Sequence, residues 1–378
     1  MSLLFLGTSS VEVSASQQKV YFLSAALADQ GWQVATILHD LPANRKLAES
    51  LRLVDVRWVP WCGAFADFQQ KQAIIRSHPW AAVQAVGIGV RTLQRRLHPR
   101  SQTRLLYDFD ERLSSFHKLG RLRGVYHRWV EAWMCRQADG FTCASEYLMN
   151  WLRRTRPDLK DEILYLPVAI SPAEHQEDPR IIAELRARFA GRQVITYLGM
   201  LSPIYRDQME EVLELATAWR NESGRRAIWI LGGGDDLEYW RNRVQAAGLA
   251  QLVSFEGFVA RERIASCLAA SAILVFPFAP TEQNLSRCPT KAYHYAASGR
   301  PLVTNRVGEV GRLFGDSAYY YSPGDAAGLR AAAESALAAA AGDGGGSVRV
   351  NFRQLTWEAR AETYGRWLKQ MGVGGEQR

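Results

Sequence analysis

The chain has 378 residues, 47% of them hydrophobic and 22% charged, with a formal net charge of +8. That is too long for one ordinary domain and too apolar for a disordered polymer, so two domains are expected. No apolar run approaches the ~20 residues needed to span a bilayer. The five cysteines (Cys62, Cys135, Cys143, Cys267 and Cys288) lie far apart with no C-x-x-C pair, which indicates neither a disulfide framework nor a zinc site. A reducing cytoplasm is the simplest compartment.

The opening "MSLLFLGTSS" has no basic region before its short apolar run and reads as a first strand feeding a loop. A helix follows in "KVYFLSAALADQG", whose apolar residues recur at three and four. "WQVATIL", "RWVPW", "TRLLYDF", "GFTCAS" and "ILYLPVA" read as strands, with helices between. Around 170–180 the polar, proline-bearing "AISPAEHQEDPR" reads as a linker. A second alternating set begins at "QVITYLGM" and continues through "RAIWILGGGDD", "LVSFEGF", "AILVFPF" and "RPLVTN" as strands. Its helices are "DQMEEVLELATAWR", "RERIASCLAAS", "TKAYHYAASG" and an Ala-rich stretch from Asp325, which a glycine-rich loop stops. The last amphipathic stretch, "TWEARAETYGRWLKQM", is a helix with Thr356 as N-cap. Such βα alternation predicts an α/β protein with two Rossmann-like, doubly wound domains in tandem, and ligands at the carboxyl ends of their strands, facing a cleft.

Charge is unevenly spread. Residues 1–172 hold 22 Lys and Arg against 15 Asp and Glu, whereas the remainder holds 24 against 23. Within the first half, residues 91–160 alone carry 15 against 7, and residues 117–136 mix the cations with Tyr126, Trp129 and Trp133. An anionic partner is expected, and an aromatic-basic helix fits an anionic membrane surface at least as well as nucleic acid. No single-strand or helix-turn-helix pattern supports nucleic acid, and a solvated basic face is the alternative reading.

Most familiar catalytic motifs are missing. "GGGDD" at 232–236 lacks the third glycine of a dinucleotide fingerprint and reads as a tight strand-to-helix turn. There is no G-x-S-x-G, no H-E-x-x-H and no i, i+4 histidine pair, so neither serine hydrolysis nor a metal site is indicated. What remains is anion binding. Arg206 follows a strand and loop, and Arg287 and Lys291 stand at a helix entrance where the dipole is already positive. Pro289 suits a first helical turn, which would turn the amides near Leu285 and Ser286 outward. Three cations and free amides make a cradle for a diphosphate.

The segments "VITYLGMLSP", "IWILGGGDD", "VSFEGFVARERIASCLAASAILVFPF" and above all "PTKAYHYAASGRPLV" resemble the nucleotide-sugar domain of the group 1 glycosyltransferases, which have the GT-B fold. The likeness covers residues 190–320 well and the first half more loosely. It implies a nucleotide-sugar site at Gly199, Arg206, Leu285, Ser286, Arg287, Lys291 and His294, with no cofactor beyond the nucleotide-diphosphate sugar and no metal. Ser286 and His294 stand where retaining relatives carry two glutamates. His294 can still share a hydrogen bond with a ribose, but Ser286 supplies no carboxylate. The family's Arg and Lys of the first loop fall on Met200 and Tyr205, so Arg206 substitutes for them. Xanthan-type glucuronosyltransferases keep a lysine where Lys291 stands, with an aspartate after the buried strand of the first domain. Asp108 and Asp110 are the candidates here, and Asp110 is the better match.

Asp110 then reads as the general base that takes the acceptor proton, with His117 a weaker candidate; a structural Asp bonded to backbone amides is the alternative for Asp110. The loop at 9–19 is where such enzymes present the acceptor. The expected organisation is an acceptor domain over 1–172, a nucleotide-sugar domain over 173–350 and a helix over 351–378 crossing back to the first. The expected function is transfer of a sugar to a hydroxyl of a saccharide or lipid-linked acceptor. A cytoplasmic protein, peripheral on the inner face of the membrane, is the corresponding location. A nucleotide-sugar epimerase, or a non-catalytic relative or partner subunit, are the alternatives.

Overall fold

A computed structural model of the chain describes residues 2–7, 10–11, 15–86, 103–115, 121–342 and 350–373. The chain divides into two compact units. The first takes in Met1–Ala169, Ser286–Cys288 and Arg353–Arg378, and the second Ile170–Leu285 and Pro289–Phe352.

In the first unit the strands are β1 (Ser2–Leu6), β2 (Gln33–His39), β3 (Asp55–Val59), β4 (Ala82–Val86), β5 (Arg104–Phe109), β6 (Gly140–Cys143) and β7 (Ile163–Tyr165). The helices between them are α1 (Ala15–Asp29), α2 (Pro42–Ser50), α3 (Ala64–Arg76), α4 (Arg121–Gln137) and α5 (Glu146–Thr155). The sheet runs in the order β3-β2-β1-β4-β5-β6-β7, with every pairing parallel. Strand order reverses between β1 and β4, which defines the doubly wound pattern and puts side chains that follow β1, β4 and β5 at its switch point. Helices cover both faces, so interior strands such as "AVQAV" and "RLLYDF" are buried almost throughout.

The second unit repeats the plan. It contains α6 (Pro179–Arg188), β8 (Gln193–Leu198), α7 (Arg206–Ala218), β9 (Arg226–Leu231), α8 (Leu237–Ala246), β10 (Val253–Gly257) and α9 (Arg261–Ala270). It continues through β11 (Ile273–Phe276), α10 (Glu282–Ser286), α11 (Thr290–Ser298), β12 (Leu302–Thr304), α12 (Gly308–Phe314), β13 (Tyr319–Tyr320) and α13 (Ala326–Ala341). Its parallel sheet runs β10-β9-β8-β11-β12-β13. Two sheets of this kind are the GT-B architecture.

The sequence announces these elements with two differences that matter. Sequence reading misses the two-residue strand β13 and, more consequentially, β4, which is rich in alanine and carries Gln84 at its centre, so it lacks the β-branched signal of its neighbours. Residues 282–286, expected as loop, form the short helix α10.

The last helix, α14 (Trp357–Gln370), is capped by Thr356, whose hydroxyl accepts from the Ala359 amide. It packs on α1, where Trp357 stacks on Phe22 with ring centroids 5.7 Å apart. Tyr364 stands beside Phe5 and donates to Gln84 Oε1 at 2.8 Å. Gly365 leaves room for the Trp32 indole. Because Trp357 is buried in the core shared by α1 and α14, Trp357→Ala should cost about 3–5 kcal/mol by cavity formation, measured as a lower urea midpoint of the full chain.

Candidate functional site

In the second unit the loops leaving β8 and β9 approach so closely that only glycine fits. Gly232 and Gly234 sit at φ of +144° and +139°, and a Cβ on either would run into the carbonyl oxygens of Gly199 and Leu201 respectively. The loops are tied by Leu201 N to Gly233 O at 2.8 Å and Asp236 N to Leu201 O at 3.0 Å. "GGGDD" is therefore a strand-to-helix turn, as its spacing indicates, and it shapes the end of β8.

Lys291 reaches this point from the first turn of α11. A Cβ on Gly199 would lie 2.8 Å from its Nζ, so the glycine makes room for the ammonium. Nζ donates to Gln208 Oε1 at 3.0 Å and to Tyr197 Oη at 3.3 Å. It also lies 4.3 Å from the centre of the Phe276 ring and 4.6 Å from that of Tyr197. Rings and amide hold the cation at the carboxyl end of β8. The structure thus brings Gly199 and Lys291 together.

Arg206 is differently engaged. It forms a two-point pair with Asp236, at 2.7 and 2.8 Å, and stacks over Tyr239 at 4.6 Å. Its charge is matched by the aspartate of the glycine-rich turn. Leu285 gives its amide to the Thr281 carbonyl at 2.9 Å within α10, so that amide is not turned outward. Asn284 fixes the same loop through Ala279 O at 2.8 Å, and Asn305 accepts from the Phe278 amide at 2.7 Å. His294 is buried, its ring 5.1 Å from that of His175, and its Nδ1 has no hydrogen-bond partner among the described residues. Burial, then the neighbouring His175 and Arg261, push its pKa down to about 3. His175 falls to about 4, mainly through burial. Both rings are neutral at physiological pH.

In the first unit a buried network occupies the carboxyl ends of β5 and β7. Lys19 Nζ, on α1, contacts Asp108 Oδ1 at 2.7 Å, Asp110 Oδ1 at 3.1 Å and the Leu166 carbonyl at 3.1 Å. Burial alone would lower the lysine's pKa, but the two carboxylates outweigh it and the net shift is upward. Asp108, hydrogen-bonded by Thr142, is pushed well above the carboxylate range by burial and then by Asp110, against the pull of Lys19. The second oxygens of Asp108 and Asp110 are buried with no hydrogen-bond partner among the described residues. Next in the chain, Glu111 is pushed up to about 7 by burial and by Asp110, while Arg287 pulls the other way. Ser286 Oγ accepts from the Arg112 amide at 3.3 Å, and its carbonyl accepts from Ser145 Oγ at 2.9 Å. Ser286 and Arg287 thus count with the first unit. His117 lies outside the described residues, as does most of 91–104.

Glu111, Lys19, Gln208 and Asp236 are the side chains that sequence reading did not single out. A lysine at the head of the apolar helix run "KVYFLSAALA" and a third acid in "YDFDE" were the available signals. Phe258, 77% exposed yet lying against Gly233, is a further one. Among the described residues no group of three or more potential metal ligands occurs.

Residues 192–339 match the model of the glycosyl transferases group 1 family. The chain is 26% identical over 212 residues to the 2-deoxystreptamine N-acetyl-D-glucosaminyltransferase of Streptomyces fradiae, a match covering 53% of this chain and 49% of that relative. The chain therefore spans about half the length of the curated relative it matches. Among solved structures, Anabaena HepE in complex with UDP and glucose superimposes with a TM-score of 0.73 at 15% identity, covering 98% of this chain and all of that one. Sucrose-phosphate synthase from Thermosynechococcus elongatus gives 0.71 at 15% identity, over 99% of this chain and 100% of that chain. The chain accordingly has the GT-B fold, and the part of its second unit from 192 to 339 is similar to the group 1 glycosyl transferases.

Glu111 makes stability depend on pH. Its folded pKa of about 7 lies above the ordinary 4.5, so the folded chain holds the extra proton between these values and loses stability as pH rises through them. Glu111→Gln should remove that loss: its urea midpoint should equal the parent's near pH 4 and exceed it increasingly towards pH 7.

Proposed function

We propose that the chain is a glycosyltransferase that moves a sugar from a nucleoside diphosphate sugar to a hydroxyl of a saccharide or lipid-linked acceptor. The second unit takes the donor and the first the acceptor, at an anionic membrane surface. The observation that carries the donor assignment is Lys291 Nζ held at Gly199 by Gln208, Tyr197 and Phe276. A fixed cation at a strand's carboxyl end, beside the N-terminus of α11, suits a diphosphate and would offset the charge that builds on it as the glycosidic bond breaks. Phe258 offers an exposed ring next to Gly233 for a nucleobase to stack on. The group 1 match over 192–339 and the transferase named above support transfer over epimerisation.

For the acceptor, Asp110 and Glu111 form the proton-accepting pair. Asp110 is fixed by Lys19, and Glu111 has a pKa of about 7, near the value that favours a general base at neutral pH. Arg206 reaches a phosphate only by sharing or exchanging Asp236. His294, neutral and buried, serves the packing of α11 rather than a charged ligand. Among the described residues no helix is long and apolar enough to cross a membrane, so the membrane reading is of a surface contact.

UDP or a UDP-sugar should raise the thermal midpoint, by a linkage of about 2.7 kcal/mol at a hundredfold excess over Kd. Lys291→Ala should abolish that shift with little change in the unliganded midpoint; a panel of nucleotides that moves nothing would sink the reading. In turnover with a UDP-sugar, Asp110→Asn should lower kcat by about 10²–10⁴-fold, and an unchanged kcat would remove Asp110 from the chemistry.

A further inference from the structure

We propose that the outer face of α4 is the part of the chain that lies in the headgroup layer of an anionic bilayer. Four of the ten large hydrophobic side chains exposed among the described residues sit on this one helix: Leu122 at 87%, Val125 at 55%, Tyr126 at 39% and Trp129 at 63%. Their spacing of i, i+3, i+4 and i+7 gathers them within ~100° of helix circumference. The opposite face is already used: Glu131, Met134 and Cys135 are buried in the first unit.

The charges follow the same division. Arg123 and Arg128 are exposed and flank the apolar stripe on its two sides, and Arg136 is exposed in the last turn. The helix's one acid, Glu131, is turned inward, accepting from the Ser114 amide at 2.9 Å and the Ser114 hydroxyl at 2.8 Å. The outer face therefore presents a hydrocarbon and aromatic ridge between guanidinium groups, with no carboxylate. An interface helix has this arrangement: the ridge enters the acyl boundary and the flanking arginines reach anionic headgroups.

Other occupants fit less well. Nucleic acid would meet aliphatic Leu122 and Val125 at the centre of the face, where phosphates need cations. A second copy of the chain packed face to face would set arginine against arginine with no acid to offset them. The inference rests on the membrane-surface part of the reading above, and its test uses no nucleotide sugar, so the two can fail separately.

The test is flotation of the full chain with vesicles of phosphatidylcholine alone and of phosphatidylcholine mixed with phosphatidylglycerol. Binding to the mixed vesicles should exceed binding to the neutral ones by about tenfold or more, and should weaken as salt is raised. Leu122→Ser with Trp129→Ser, and separately Arg123→Ser with Arg128→Ser, should each reduce it about tenfold with unchanged thermal midpoints, because all four side chains face outward. Lys291→Ala should bind vesicles like the parent. Equal binding to both vesicle types, no binding, or full binding by the α4 variants would overturn the proposal. So would dimerisation abolished by the same substitutions, or preferential capture of single-stranded RNA over the mixed vesicles.

Discussion

One buried ammonium holds the first unit together. Lys19 leaves water entirely, and such a charge is tolerated only when its partners satisfy it. Its partners come from separate parts of the chain: Asp108 and Asp110 at the end of β5, and the carbonyl of Leu166 beyond β7. Through Asp108 the network extends to Thr142 on β6, and Thr142 accepts from Gln84 on β4, which in turn accepts from Tyr364 on α14. A helix, three strands, a strand-end carbonyl and the last helix are thus bound to one charge. Burial first, and then the carboxylate of Asp110, raise the proton affinity of Asp108 and Glu111, so the network that joins these strand ends also bears on the electrostatics of the acids there.

The second unit solves its own problem by removing side chains. Gly199, Gly232 and Gly234 allow the β8 and β9 loops to touch backbone to backbone, and the space left at Gly199 receives Lys291. Lys291 is held there by two rings and an amide, whereas Arg206 is paired with Asp236. The two lysines, Lys19 and Lys291, therefore sit in different settings: one is bound by two carboxylates inside a core, the other lies against two rings and an amide at a strand end.

How much of this is legible in sequence follows from which forces are local. Apolar runs such as "RAIWIL" and "QVITYL" belong to strands buried on both faces, and their alternation with amphipathic helices gives the two sheets directly. β4 escapes because alanine carries little strand preference and because the burial of Gln84 depends on Tyr364, 280 residues away. Lys291 is legible because a cation at a helix entrance conflicts with the dipole and so demands an explanation. The pairing of Arg206 with Asp236 is not, because it depends on two loops brought together by glycines. Nor is the loss of the Leu285 amide, since α10 is too short to show a period. His294 looks like a ligand by alignment, and only its packing against His175 shows a neutral, buried ring. Lys19 stands in sequence at the border between a polar helix start and an apolar run, and its meaning required the acids that end and follow β5.

The membership of α14 has a consequence for biosynthesis. The second unit is built almost entirely from one stretch, Ile170–Leu285 and Pro289–Phe352, whereas the first needs Trp357, Tyr364 and Trp367, which follow that stretch. On the ribosome the half made first is therefore the half completed last. Until Tyr364 emerges, Gln84 lacks its hydroxyl donor and Phe22 lacks the indole that covers it. The nascent first sheet must wait, its α1 face open to water or to a chaperone, while the second unit closes.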